Sequence, residues 1–255
     1  GGSRADARRR GGAGQAASAR FRPFGFAIGA YGYIGGGRVG TDPVSDFWRY
    51  DPNTDSWLQR ADISGVARWV GASFTVDGIG YVFGGADASF NDLNDLQAYN
   101  PDSNTWSTRA SLPSTGRRAA TGFSIGHAGY VACGSTTSNV SFNECWEYHP
   151  GTNDRAQVAD PGPEGRSSAM AFTVGGNGYL VGGLTGDGST LSADARMYTQ
   201  DAQPDCNGVI GGPVVPGTSC DDGLAYTGND AINGFCACSG ACLNDADGDG
   251  ICDEV

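Results

Sequence analysis

The chain has 255 residues, 43 of them glycine, with 39% hydrophobic residues and a formal net charge of −12. Glycine so far above the usual share of about 7% suits tight turns between short strands, and no stretch nears the roughly 18 apolar residues of a membrane span. An acidic body lacks the basic face that phosphate backbones require, which excludes nucleic acid as a partner.

The charge is unevenly placed. Residues 1–22 hold six Arg and one Asp, residues 23–200 ten Arg against 17 acids, and residues 201–255 ten acids and no base. Every basic residue is Arg. The acidic tail points to cations. Residues 1–19 show no periodicity and no apolar stretch of the kind a signal peptide carries. They are predicted to be a disordered flank. If the protein is secreted its true start is missing, and the chain is read as a fragment.

Residues 20–200 form an internal repeat. Tyr33-Ile-Gly-Gly-Gly37 returns as Tyr81–Gly85, Tyr130–Gly134 and Tyr179–Gly183, at intervals of 48, 49 and 49 residues. The same phase holds for Arg20, Arg68, Arg117 and Arg166, for Phe26, Phe74, Phe123 and Phe172, and for Tyr50, Tyr99, Tyr148 and Tyr198. Trp57 and Trp106 keep it too, with Arg155 in the next slot. Each unit reads as four short strands. In the second, the first strand lies near Ala72–Val76, Asp77–Gly80 is a hairpin turn, the second strand is Tyr81–Gly84, the third lies around Leu96–Tyr99, and Trp106 begins the fourth. Four antiparallel strands every 49 residues is the arithmetic of a propeller blade.

A diglycine, a Tyr some way on and then a Trp, as in Gly35–Gly37 with Phe47–Trp57 and Gly84-Gly85 with Leu96–Trp106, closely resembles the kelch repeat. The third unit departs from it with Cys133-Gly134 and Arg155, and the fourth stops at the strand of Tyr198. The resemblance implies an all-β, kelch-type β-propeller of about three and a half blades, an arc truncated upstream of a complete ring. The glycines Gly36, Gly37, Gly84, Gly85, Gly182 and Gly183 are expected to end an inner strand where neighbouring backbone leaves no room for a Cβ. Tyr50, Tyr99, Tyr148, Trp57 and Trp106 are expected to fill the wedge between blades.

Of eight cysteines, Cys133 and Cys145 lie in the repeats and six in the last fifty residues. Cysteine this dense in a core-poor segment reads as a disulfide framework from an oxidising compartment, secreted or at the cell surface. Residues 201–240 resemble the short cysteine-rich modules near the C-terminal ends of large secreted bacterial surface proteins, a small and irregular disulfide-rich module. Residues 241–255 begin an acidic segment in which Asp245, Asp247, Asp249 and Asp253 resemble the calcium loops of EF hands and thrombospondin type 3 repeats. Carboxylates at alternate positions converge on one calcium ion, and Gly250 permits the bend, but the chain stops one residue short of the closing ligand. Cys133 and Cys145, on neighbouring strands of one unit, are predicted to form a disulfide.

No catalytic residues are assigned. A galactose-oxidase-like copper radical site needs paired His ligands, and His127 and His149 fall in separate turns. A sugar epimerase on the same scaffold stays open as an alternative, as does a structural spacer. Arg68, Arg117 and Arg166, one at each strand start, either ring the channel and bind carboxylates or pair with an acid or carbonyl of the adjacent blade. The function read from this pattern is a binding module for a protein or glycan partner in an adhesion setting, with further domains on both sides in the parent protein.

Overall fold

The computed structural model describes residues 18–113, 115–186 and 188–199, together with the backbone of 227–232 and 238–242. Four antiparallel sheets follow one another along the repeats. The first holds β1 (Phe24–Ile28), β2 (Tyr31–Gly35), β3 (Phe47–Asp51) and β4 (Ser56–Arg60); the second holds β5 (Ala72–Val76), β6 (Ile79–Phe83), β7 (Leu96–Asn100) and β8 (Thr105–Arg109). The third holds β9 (Thr121–Ile125), β10 (Ala128–Ala132), β11 (Cys145–His149) and β12 (Asp154–Val158), and the fourth β13 (Met170–Val174), β14 (Asn177–Val181) and β15 (Ala195–Tyr198). Strands are hydrogen-bonded in chain order within every sheet, which is the meander of a propeller blade.

Local sequence sets each blade. Asp77-Gly78 turns β5 into β6 with φ of 49° and 76°, the left-handed pair that a two-residue hairpin requires. That register puts Phe opposite Tyr in every first hairpin: Phe26 on Tyr33, Phe74 on Tyr81, Phe123 on Tyr130 and Phe172 on Tyr179. The rings stack at 5.7, 5.0, 5.0 and 5.5 Å between centroids. The outer hairpin is set the same way, with Tyr50 opposite Trp57, Tyr99 opposite Trp106 and Tyr148 opposite Arg155.

The cores lie between blades rather than inside them. Phe24, Tyr33 and Phe47 of the first sheet pack with Val82 and Tyr99 of the second. Phe74, Tyr81 and Phe83 of the second pack with Val131 and Tyr148 of the third. Phe123, Tyr130 and Cys145 of the third pack with Leu180 and Tyr198 of the fourth. First strands of successive sheets lie side by side, Ser73 and Thr75 donating their hydroxyls to the carbonyls of Gly25 and Ala27 at 2.8 and 3.1 Å, and Thr173 donating to Ser124 at 2.6 Å.

The diglycines follow the second strand of each sheet, one place further out than the sequence suggested. All six are left-handed, from φ 58° at Gly36 to 97° at Gly85. A Cβ on Gly84 would stand 2.5 Å from the Arg117 carbonyl oxygen of the next blade.

Residues 200–255 form a second compact unit. Within it Thr227–Ile232 pairs with Cys238–Cys242 in an antiparallel ribbon whose register shifts between Gly228 and Ala231. The rest of the cysteine-rich module and the calcium segment with Asp245, Asp247, Asp249 and Asp253 lie outside the described residues, as does most of the 1–19 flank.

Candidate functional site

The arginine column is turned into the blades. Arg68 donates Nη1 and Nη2 to both oxygens of Asp95, at 2.8 and 2.7 Å, and Nη1 also to the carbonyl of Gly84 at 3.1 Å. Arg20 repeats this on Asp46 and Gly36, Arg117 on Glu144 and Cys133, and Arg166 on Asp194 and Gly182. Acid and carbonyl both belong to the arginine's own blade, where the sequence left an adjacent blade as the source. The link to the neighbour runs through the backbone instead. Gly37, Gly85 and Gly134 donate their N–H to the carbonyls of Arg68, Arg117 and Arg166 of the following blade, at 2.8, 2.9 and 2.7 Å.

The acids respond as carboxylates in such a clasp should. Burial works to raise Asp95, but the hydrogen bonds and charge of Arg68, with Gln97 added, outweigh it and hold the group below its ordinary range. Asp46 is lowered against burial by Arg20 and Trp48, and Glu144 by Trp146 and Arg117. These arginines are blade struts, with Arg68 and Arg117 among the most buried side chains of the protein.

A second column runs two residues beyond the arginines. Arg22, Val70, Ala119 and Ser168 are all left-handed, with φ of 50°, 60°, 54° and 56°. The N–H of Val70 donates to the Arg22 carbonyl, Ala119 to Val70 and Ser168 to Ala119, at 3.1, 3.0 and 2.8 Å. This ladder makes up for the backbone strain of non-glycine residues at positive φ.

The loops beside that ladder carry cationic and aromatic side chains together. The Arg38 guanidinium lies 4.8 Å from the Trp69 ring and 5.5 Å from Phe90, and Arg118 lies 5.9 Å from both. Trp69 and Phe90 meet edge to face at 5.9 Å, and Arg22 covers Phe21 at 5.0 Å. Trp69 is buried and anchors the group, whereas Phe21 and Phe90 are exposed. Arg118 is held by Asp92 at 2.6 Å and by Thr137, tying the loops of the second and third blades. Arg22 and Arg38 form no ion pair among the described residues. Beside them a cleft of about 220 Å³ is lined by Arg22, Trp69, Arg118 and the hydroxyls of Ser135, Thr136 and Ser168. The Ser141 hydroxyl, in its wall, is buried with no hydrogen-bond partner among the described residues. Sequence reasoning missed this group: Phe21 and Trp69 share one repeat position, each next to its column arginine, but Arg118 and Ser167 fill that position in the later units, and Phe90 joins from a separate loop.

The remaining candidates stand apart. Cys133 and Cys145 are free thiols in the structure, where the sequence predicted a bridge. They sit in the apolar core between the third and fourth blades, acting as small hydrophobes. Burial pushes the Cys133 thiol up to about 11 and Cys145 higher still, so both stay protonated and inert. His127 is largely exposed at a hairpin turn, 2.7 Å from Asp77, and His149 ends β11 near Glu147. No group of three or more His, Cys, Asp or Glu side chains that could hold a metal occurs among the described residues.

A profile of the KLHDC2/KLHL20/DRC7 Kelch-repeats domain family matches residues 26–204. Comparison with curated proteins finds no match.

Proposed function

We propose, for a chain that belongs to the Kelch-repeats domain family, that it is a binding module holding an acidic protein segment against the loops that carry Arg22, Arg38 and Phe90. The observation that supports this reading is the pairing of Arg22 and Arg38, which lack acidic partners among the described residues, with the exposed rings of Phe21 and Phe90. Arginine and aromatic side chains together are the composition of interface hot spots. In a protein of net charge −12, a local cationic patch selects carboxylates. The segment lays its acids on the two guanidiniums and an apolar side chain on Phe90, while the hydroxyl-lined cleft takes its backbone.

We infer an extracellular setting, secreted or on a cell surface, with adhesion as the role. The support is chemical: six cysteines in the last fifty residues, and the alternate carboxylates Asp245, Asp247, Asp249 and Asp253, which match calcium ligation in the intact parent.

The test is selection of a displayed random peptide library on the immobilised full chain. The expected outcome is enrichment of peptides combining Asp or Glu with an aromatic or large aliphatic residue. Their affinity should fall at least about tenfold in the R22E/R38E double variant at an unchanged melting temperature. Peptides without acids, or binding indifferent to the double substitution, would overturn the reading.

A further inference from the structure

The loops that follow the second strands of the second, third and fourth blades turn at their tips on one plan. In each, the N–H of the fourth turn residue donates to the carbonyl of the first: Phe90 to Asp87, Asn139 to Thr136 and Gly188 to Thr185, at 3.2, 3.0 and 3.2 Å. That fourth residue is left-handed in all three, with φ of 62°, 60° and 80°. Glycine takes this conformation freely and asparagine tolerates it, but for a bulky aromatic it is strained. Phe90 therefore stands where its two sister loops use the residues that the backbone prefers. The turn itself does not require a ring, since Asn139 closes the same turn without one.

The strained conformation is held from several sides. The Asp87 carboxylate accepts the N–H groups of Ser89 and Asn91, both at 2.8 Å. From the third blade, Arg118 Nη2 and the Thr137 hydroxyl both donate to the Phe90 carbonyl, at 2.6 and 2.7 Å. Asp92 fixes that pair in turn, accepting Arg118 Nε and the Thr137 N–H at 2.6 and 2.7 Å. The clamp grips the main chain and leaves the ring free. Phe90 is 47% exposed although it belongs to the second blade, which has a blade packed on either side. What the ring meets is Trp69, edge to face, and the guanidiniums of Arg38 and Arg118.

We propose that Phe90 is the specificity-determining residue of the loop site, and that the group it selects is an aromatic side chain of the bound segment. This rests on the reading of these loops as a site for an acidic segment. A strained residue that its surroundings over-determine marks a place where conformation serves more than the fold. A ring already fixed at its main chain loses little freedom when a partner settles on it. The surroundings suit a second ring. Aromatic pairs favour edge-to-face or offset contact at about 4.5–7 Å between centroids, and Phe90 already makes such a contact with Trp69 at 5.9 Å. Arg38, 5.5 Å from the same ring, is placed to take an acid beside the aromatic. The selected sequence therefore carries an acid and an aromatic residue close together, and an aliphatic residue in the aromatic's place binds less well.

The test uses the full chain, the peptides enriched on it, and F90N, which copies the sister loop of Asn139. Removing the strain should leave the melting temperature of F90N no lower than the wild type's and up to about 4 °C higher. Affinity for the enriched peptides should nevertheless fall at least about tenfold. Changing the peptide's aromatic residue to Leu should weaken binding about three- to tenfold on the wild type but less than about twofold on F90N, the non-additivity of a direct pair. F90W should keep the aromatic preference. A lower melting temperature in F90N makes the ring a packing residue and overturns the proposal. So does a peptide substitution that costs the same on both proteins. Peptides whose binding survives F90N but collapses in R22E/R38E overturn it while the acidic-segment reading stands. Aromatic peptides without acids that lose affinity on F90N overturn that reading and support the selection by Phe90. A library that yields no enriched peptide overturns both.

Discussion

The second blade and the fourth begin with the same hairpin, and they differ in what lies on it. Phe74 is 4% exposed beneath the third blade, whereas Phe172, its counterpart, is 46% exposed; Val76 and Val174 stand at 2% and 58%. The two hairpins share register and ring stacking, so neither the strand sequence nor the turn accounts for the contrast. A blade supplies half a core and borrows the other half from its neighbour. Stability in this architecture is therefore a property of joints, counted between units as in other repeat proteins.

The sharpest way to break the comparison is to truncate both rings. F74A removes a covered ring and is expected to cost about 3–5 kcal/mol, with a matching fall in the urea midpoint, whereas F172A should cost under about 1 kcal/mol. Next in size are the struts. R117A leaves Glu144 without its clasp and should cost about 3 kcal/mol, while R166A, whose partner Asp194 is more exposed, should cost less. Adding a methyl comes third. G129A drives a Cβ into Phe74 and is expected to cost about 1–3 kcal/mol, against about 0.5 kcal/mol or less for G32A.

Acid should loosen the joints through the struts. Asp46, Asp95 and Glu144 are all lowered in the folded chain, so they bind protons less readily than in the unfolded one. Their contribution is fully present above the ordinary carboxylate values of about 3.9–4.3 and is lost as pH falls through the lowered folded values. A thermal midpoint that declines from about pH 5 towards pH 2.5, with a shallower decline in E144Q, is the expected readout. The smallest effect concerns the thiols. Iodoacetamide at pH 8 should leave Cys133 and Cys145 unmodified in the native protein and label both on unfolding, as peptide mass mapping would record.

The blades were legible because their determinants are side chains in fixed phase: Phe, Tyr, Trp and glycine each hold one column, and Ala72–Val76 was placed to the residue. The acid that clasps each arginine was not. Asp46, Asp95, Glu144 and Asp194 recur at 49, 49 and 50 residues, the spacing of the Tyr50 column, but the change from Asp to Glu and a distance from the arginine that drifts from 26 to 28 residues hid the pairing. The ladder of Arg22, Val70, Ala119 and Ser168 left no trace at all. Its conformation is imposed by backbone hydrogen bonds, and four unlike side chains satisfy them equally. The aromatic group escaped because its column is degenerate: Phe21 and Trp69 share a position that Arg118 and Ser167 fill in the later units, and Phe90 joins from a separate loop.

That ladder also gives the series a direction. Every one of its bonds runs from a later unit's amide to an earlier unit's carbonyl, so the peptide dipoles align as links in a chain do. A tandem duplication of about 49 residues, inserted in frame between Arg109 and Arg117, meets a waiting carbonyl on one side and a waiting amide on the other. Lengthening by whole units thus needs no new kind of backbone contact.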